Sequence, residues 1–277
     1  HLYQKACNFK PQCCDGETEV LTPEGWRRFD SLRTGTARVA QWDAGAISFV
    51  QAPVITTQTD EVLTHYEGSR VSFKVTSNHR VPNYRGRAGL VVDEAADLAT
   101  EISVPSSGVY QEGHALLTAG VVRLLAATQA DGTLRSNGVE WHFTKLRKIG
   151  RLRMLLAEAG VVATEYTNSD GTTTFKTKGA WATVCRTWLP KKEFTYELLT
   201  LSKRLRHLFI EELQHWDARR TEGDKSFGYV TTIKRNADVV QAVAVCTGYR
   251  ATLVQESEGT IEHAPVWRVN LCERTKT

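Results

Sequence analysis

Two stretches in the second half of this chain repeat one another, and that repeat constrains the fold more than any other feature. The first runs from a helix expected over residues 115–130, through Asp131-Gly132, to a strand over 139–144. A basic turn at 145–148, a helix over 149–159 and a hairpin turning at Asn168-Ser169-Asp170-Gly171 complete it. The second runs from a helix over 205–216, through Asp217, to a strand over 227–233. The basic pair Lys234-Arg235, a helix over 236–247 and a hairpin ending in Trp267-Arg268-Val269-Asn270-Leu271 follow. Apolar residues recur at helical spacing in the helices and alternate in the strands. Two αββαββ units predict an α+β domain with a pseudo-twofold axis, occupying residues 109–277.

Residues 13–108 have a different texture. Short apolar runs such as Arg38-Val39-Ala40-Gln41-Trp42, Ala46-Ile47-Ser48-Phe49-Val50 and Val71-Ser72-Phe73-Lys74-Val75 alternate with Gly, Asp and Pro turns, which predicts an all-β domain. Pro105-Ser106-Ser107-Gly108 is the expected linker between the two regions. Near the start of the β region stands Cys13. A thiol on that residue can attack the carbonyl of Gln12 and turn the Gln12–Cys13 amide into a thioester. The step needs a proton for the leaving nitrogen, which histidine supplies near neutral pH. It also needs a donor to hold the carbonyl oxygen. Thr76 and His79 are residues of the right type for these tasks.

The runs that carry these residues are Cys13-Cys14-Asp15-Gly16-Glu17-Thr18-Glu19-Val20-Leu21-Thr22-Pro23-Glu24-Gly25-Trp26, then Arg28-Phe29-Asp30-Ser31-Leu32, Val39-Ala40-Gln41-Trp42-Asp43 and Val75-Thr76-Ser77-Asn78-His79-Arg80-Val81-Pro82. In this order they resemble the N-terminal part of an intein. The one departure is Glu17, where the family usually has Asp. The resemblance implies the Hedgehog/intein (Hint) self-splicing fold, an all-β horseshoe, over residues 13–108. It makes Cys13 the nucleophile of an N-to-S acyl shift and Thr76, Asn78 and His79 the block that activates the upstream bond. Residues 1–12 become an N-extein remnant, and splicing needs no cofactor. Inteins end in a His-Asn pair followed by Cys, Ser or Thr. This chain ends at Arg274-Thr275-Lys276-Thr277 and contains no His-Asn pair; Asn168-Ser169 lacks the preceding His. The closing C-terminal strands are therefore expected from a separate C-intein fragment carrying a His-Asn terminus, or the chain is a shortened form.

In both repeat units an Asp stands between the first helix and the strand that follows. If those helices pack side by side, Asp131 and Asp217 meet at their ends, and two close carboxylates repel unless a divalent cation joins them. A Mg²⁺ ion there would suit phosphodiester hydrolysis. Leu124-Leu125-Ala126-Ala127-Thr128-Gln129-Ala130-Asp131-Gly132 resembles the LAGLIDADG motif of homing endonucleases, with Phe209-Ile210-Glu211-Glu212-Leu213-Gln214-His215-Trp216-Asp217 a degenerate second copy. Ala126, Ala127 and Ala130 suit the close helix approach, while Gln129 replaces the motif's first acid and Ala218 the Gly after the second copy. The resemblance implies a double-stranded DNA target lying on the strands. Exposed DNA-binding positions are expected at Trp141, Lys145, Arg147, Lys176 and Lys178 in the first unit. Tyr229, Thr231, Lys234, Arg250 and Arg268 are their counterparts in the second. Lys and Arg would supply phosphate contacts, and alternate side chains could read bases. Lys191 or Lys192, after Trp188-Leu189-Pro190, would approach the reacting phosphate.

Composition sets the outer bounds. At 277 residues the chain exceeds the usual single-core size, so more than one domain is expected. Six cysteines without a CxxC spacing argue against both a disulfide framework and a zinc site. No membrane partner is expected, since no apolar run is long enough to span, and no signal pattern opens the chain. These features predict the reducing cytoplasm of a bacterial or phage-infected cell, where Cys13 stays a thiol. A net charge of +4 permits a nucleic-acid partner without requiring one. The alternative function is a homing endonuclease or DNA-binding module whose Hint part is inactive.

Overall fold

A computed structural model describes residues 13–33, 35–54, 61–68, 70–220, 226–260 and 263–273. The N-extein stretch, with the Gln12 carbonyl, and the end of the chain after Glu273 lie outside the described residues. Among the described residues the chain is α+β, with five α-helices.

The first half is all-β, as its alternating runs require. Strands β1 (Glu19–Thr22) and β2 (Gly25–Arg28) form one hairpin, and β3 (Gly35–Asp43) and β4 (Ala46–Val54) a second. Ala44 and Gly45 turn the second hairpin with positive φ of 46° and 91°, the backbone that a two-residue primed turn demands. Strands β5 (Leu63–Glu67) with β6 (Ser72–Thr76), and β7 (Arg80–Arg85) with β8 (Gly89–Glu94), give two more hairpins. Strand β9 (Val109–Tyr110) then adds in parallel to β4. The result is four small sheets rather than one continuous sheet. Leu21, Ile47 and Tyr110 join the main core, while β5 to β8 close around a satellite of Val75, Val81 and Ala95.

The expected linker is a correction. Ser107 and Gly108 are buried, and the Gly108 amide donates to the Val245 carbonyl at 3.0 Å. A Cβ at Gly108 would stand 2.8 Å from Ile47 Cγ1 and 2.9 Å from the Gly45 carbonyl. The turn-rich composition of 105–108 serves close packing, so the two regions meet at a seam rather than across a free tether. Trp26 Nε1, which donates to the Asp238 carbonyl at 3.2 Å, belongs to the same seam.

The second half realises the repeat. The first unit is α1 (Ala119–Asp131), β10 (Thr133–Arg135), β11 (Gly138–Phe143), α2 (Leu146–Ala159), β12 (Thr164–Thr167) and β13 (Thr173–Lys178), with sheet order β10-β11-β13-β12. A helix α3 (Ala180–Trp188) connects it to the second unit. That unit is α4 (Lys203–Leu213), β14 (Ala218–Arg220), β15 (Ser226–Thr231), α5 (Lys234–Val245), β16 (Arg250–Ser257) and β17 (Val266–Cys272). Its sheet order, β14-β15-β17-β16, is the same topology. The equivalent helices start alike: Thr118 caps α1 by accepting from the Val121 amide, and Ser202 caps α4 by accepting from the Leu205 amide. Helix α1 packs against both α2 and α4. At Gly120 the α2 backbone comes so near that a Cβ would lie 2.4 Å from the Glu158 carbonyl carbon.

Two buried charges tie these elements together. Glu212, with no exposed side-chain surface, accepts from Arg123 of α1 at 2.9 Å, from Arg151 of α2 at 2.6 and 3.0 Å, and from Trp216 Nε1 at 2.8 Å. Arg206 is fully buried and donates to the carbonyls of Leu199, Leu201 and Tyr110, fastening β9 to α4.

Candidate active sites

Strand β6 assembles the first site. Its last residue, buried Thr76, accepts a hydrogen bond from the Cys13 amide on Oγ1 at 3.1 Å, and the Thr76 amide donates to the Cys13 carbonyl at 3.0 Å. Cys14 bridges Val75 and the Asp15 amide donates to the Lys74 carbonyl, so residues 13–15 run as an antiparallel extension of β6. Asp15 fixes the turn that follows by accepting from the Thr18 amide at 2.9 Å and its hydroxyl at 2.6 Å. The Thr18 hydroxyl bond is the main reason that the Asp15 carboxyl lies below its usual range.

After β6 the chain turns through Ser77 and Asn78, and the His79 amide donates to the Thr76 carbonyl at 2.9 Å. Burial pushes the His79 imidazole below its ordinary value, opposed by its hydrogen bond to the Cys13 backbone. Its Nδ1 is buried with no hydrogen-bond partner among the described residues. Cys13, Thr76 and His79 thus converge, with Asn78 in the adjoining turn. Cys14 faces the satellite core, and burial, then the charge of Asp15, raises its thiol.

The second site lies where the repeat units meet. Asp131 is the last residue of α1, and Asp217 stands between α4 and β14. Burial first, and then the charge of Asp131, push the Asp217 carboxyl up, while Lys148 and Lys192 pull it down. Those four groups therefore share one electrostatic environment. Lys148, from the first turn of α2, forms an ion pair with Asp131 and has only 13% of its side chain exposed. Its ammonium sits over the rings of Phe143, at 5.8 Å, and Trp216, at 5.6 Å. Lys192 donates to the Ala130 carbonyl at 3.4 Å, from a turn where Lys191 and Lys192 both hold positive φ, 57° and 63°. Neither the Lys148 pair nor the aromatic clamp is visible in the sequence, because both depend on where α2 packs.

The oxygens here are of the type a small hard cation takes, with Lys148 on Asp131 and Lys192 on the Ala130 carbonyl. They are carboxylate and carbonyl oxygens, and Mg²⁺ is commonly held by one or two carboxylates with water and phosphate oxygens as its other ligands. Among the described residues no group of three or more His, Cys, Asp and Glu could hold a metal, and Asp131 and Asp217 are the two carboxylates that share this environment. Gln129, at the motif position where an acid is usual, is buried and accepts from the Tyr229 hydroxyl at 3.3 Å.

On the face expected to meet DNA, several expectations need correction. Trp141 and Tyr229 are buried, at 0% and 1% exposure, and point into the core beneath their sheets. Each is the fourth residue of the second strand in its unit, so the error is the same in both halves. In Val139-Glu140-Trp141-His142-Phe143 the apolar positions share one pleat face, and the outward face carries Glu140 and His142. Thr231 falls on the inward pleat of β15, half-buried at its end, and caps Ile233. Lys176 and Lys178 face outward, with Lys176 paired to Glu140 at 3.3 Å. Arg250 and Arg268 line a groove on the second sheet. Lys145, Arg147 and Lys234 lie at helix starts instead of on strands. Arg147 donates to the His215 carbonyl at 3.1 Å, and Lys234 folds back onto Asp238 at 2.7 Å.

No protein-family model matches the chain. It is 27% identical, over 321 aligned residues, to the beta subunit of ribonucleoside-diphosphate reductase from Aquifex aeolicus (strain VF5). That match covers 96% of this chain and 44% of the reductase subunit, so the chain spans less than half of the curated relative's length. Among solved structures it is similar to I-DmoI in complex with DNA and Mn, with 15% identity and a TM-score of 0.40 over 55% of this chain and 89% of that one. It is also similar to mesophilic variants of the homing endonuclease I-DmoI, with 15% identity and a TM-score of 0.41 over 55% and 83% of the two chains. For full-length DUF199/WhiA from Thermatoga maritima the values are 8% and 0.37 over 55% and 50%. TM-scores this low do not establish a common fold, and the duplicated αββαββ topology stands on its own. No helix among the described residues is long and apolar enough to cross a membrane.

Proposed function

We propose that this chain is the thiol-dependent, self-processing part of an intein, carrying a Mg²⁺-dependent DNA endonuclease of the LAGLIDADG kind in its second half. The observation that carries the reading is the Cys13 amide donating to Thr76 Oγ1 at 3.1 Å, with His79 bonded to the same backbone. Thr76 fixes the position of the Cys13 nitrogen, the leaving atom, by accepting from its N–H. Because burial favours the neutral imidazole, His79 can take the proton from Cys13 Sγ and deliver it to the Cys13 nitrogen. The carbon–sulfur bond to the Gln12 carbonyl forms as the carbon–nitrogen bond breaks, and the proton moves from sulfur to nitrogen. Completing splicing would take a segment with a His-Asn terminus, which would supply the last step and the closing strands.

In the second half, the paired carboxylates of Asp131 and Asp217 would hold Mg²⁺ in a duplex laid across the two sheets. When bound, the ion activates water and stabilises the leaving oxygen. A second reading, DNA binding without cutting, is favoured by Lys148, whose ammonium already neutralises Asp131. The coverages of 96% and 44% fit a segment carried inside a longer host, and ribonucleotide reduction is not assigned to this chain.

Two variants separate the activities. Cys13→Ala should abolish thiol-induced release of residues 1–12 and leave cutting intact. Asp131→Asn should abolish Mg²⁺-dependent cutting of DNA spanning the uninterrupted host gene and leave peptide release intact. Duplex binding without cutting by the wild type selects the second reading. Failure of peptide release in the wild type removes the self-processing assignment.

A further inference from the structure

The groove on the outer face of the second sheet is not built by that sheet alone. It is open, has a volume of ≈ 430 Å³, and is lined by Arg219 of β14, Arg250 and Thr252 of β16, Arg268 and Asn270 of β17, and Arg70. Arg70 comes from the other half of the molecule, in the turn that leads from β5 into β6. Neither Arg70 nor Arg219 belongs to a sequence motif. What joins them is tertiary.

The groove is shaped for a cationic surface. Gly228 leaves room for the Arg268 stem, since a Cβ there would stand 2.9 Å from Arg268 Cδ. Glu256 accepts from Arg268 at 2.7 Å and lies 3.5 Å from Arg219, so one carboxylate orients two guanidiniums. Arg268 Nε is buried without a hydrogen-bond partner among the described residues. Arg70 is exposed and has no ion pair among the described residues. Planar guanidiniums around a polar, open trough match the spaced, singly charged oxygens of a phosphodiester backbone.

We propose that Arg70 is a DNA-backbone contact contributed by the self-processing half, so that a duplex on the β14 to β17 sheet is also gripped by the turn entering β6. This rests on the nucleic-acid reading above. It adds a consequence: β6 runs from beside this contact to Thr76, which holds the Cys13 amide, so one short strand links the duplex to the nucleophile.

The test uses the full chain and a mixed-sequence duplex, with binding followed by fluorescence anisotropy across a salt titration in EDTA. Each phosphate contact contributes about 0.9 to the log–log salt slope. Arg70→Gln should therefore lower the slope by about 1 and weaken binding, and Arg70→Lys should restore the slope. Arg87→Gln, which removes an equal charge from the exposed β7–β8 turn outside the groove, should leave the slope unchanged. If Arg268→Gln lowers the slope and Arg70→Gln does not, Arg70 is not a contact, while the nucleic-acid reading survives. If the wild type does not bind duplex, both fall.

Discussion

Substituting Glu212 by Gln keeps its volume and removes its charge, and the structure allows the cost to be worked out. The carboxylate is fully buried and accepts three bonds from Arg123 and Arg151 and one from Trp216. Arg123 retains Glu158 as a partner, whereas Arg151 loses its carboxylate with only 24% of its side chain exposed. Charge-assisted bonds contribute about 1.5–3 kcal/mol each before the carboxylate's own desolvation is subtracted. Breaking a buried pair by removing one partner costs about 3–5 kcal/mol, which is the expected loss. A kilocalorie moves the midpoint of a large domain by roughly 2–4 °C, so Tm should fall by roughly 6–20 °C. Calorimetric melting of the full chain reads this directly. Since Trp216 is anchored on Glu212 and adjoins Asp217, DNA cutting should fall as well. A Tm within about 3 °C of wild type, no more than about 1 kcal/mol produces, would refute the claim that Glu212 holds α1, α2 and α4 together.

Other perturbations test separate parts of the account. Thr76→Val keeps the shape but deletes the acceptor for the Cys13 amide; one hydrogen bond of ~1.4 kcal/mol predicts about tenfold slower thiol-induced peptide release, read by chromatography. Gly120→Ala gains helix propensity yet drives a Cβ against the α2 backbone, and overpacking of about 1–3 kcal/mol should win, seen as a lower melting midpoint. The folded His79 value lies below the ordinary one, so its contribution to stability is complete above the unfolded value and is lost as pH falls. Denaturant titrations from about pH 8 to 5 should show wild type losing stability relative to His79→Gln on acidification. For Asp217 the sign is opposite: its folded value is raised, so stability is complete below the unfolded value and lost as pH rises through the folded one. Asp217→Asn should consequently melt above wild type at neutral pH in EDTA while losing Mg²⁺-dependent cutting, and a lower midpoint would contradict the strained-carboxylate account.

The repeat was legible because both units write the same periods in the same order, and their sheets have identical strand order. The three-residue strands β10 and β14 are too short to show a period, and the nine-residue α3 carries too little of one. Trp141 and Tyr229 were misplaced because an aromatic on a strand serves equally as a core filler or a base-stacking surface, and the pleat face decides which. The approach of Cys13 to Thr76 could be anticipated because their two runs, far apart in the chain, are joined by one strand pairing. Lys148, Arg206 and Arg70 were not readable. Their surroundings come from what neighbouring elements put beside them, and nothing in their local sequence sets them apart from solvated charges.

The central claim concerns the bond between Gln12 and Cys13, and intact-mass spectrometry of the wild-type chain after incubation with a small thiol addresses it most directly. The account predicts loss of residues 1–12 as a thioester and a remaining chain that begins at Cys13, with no such product from Cys13→Ala. An unchanged mass in the wild type, or the same product from Cys13→Ala, would contradict it.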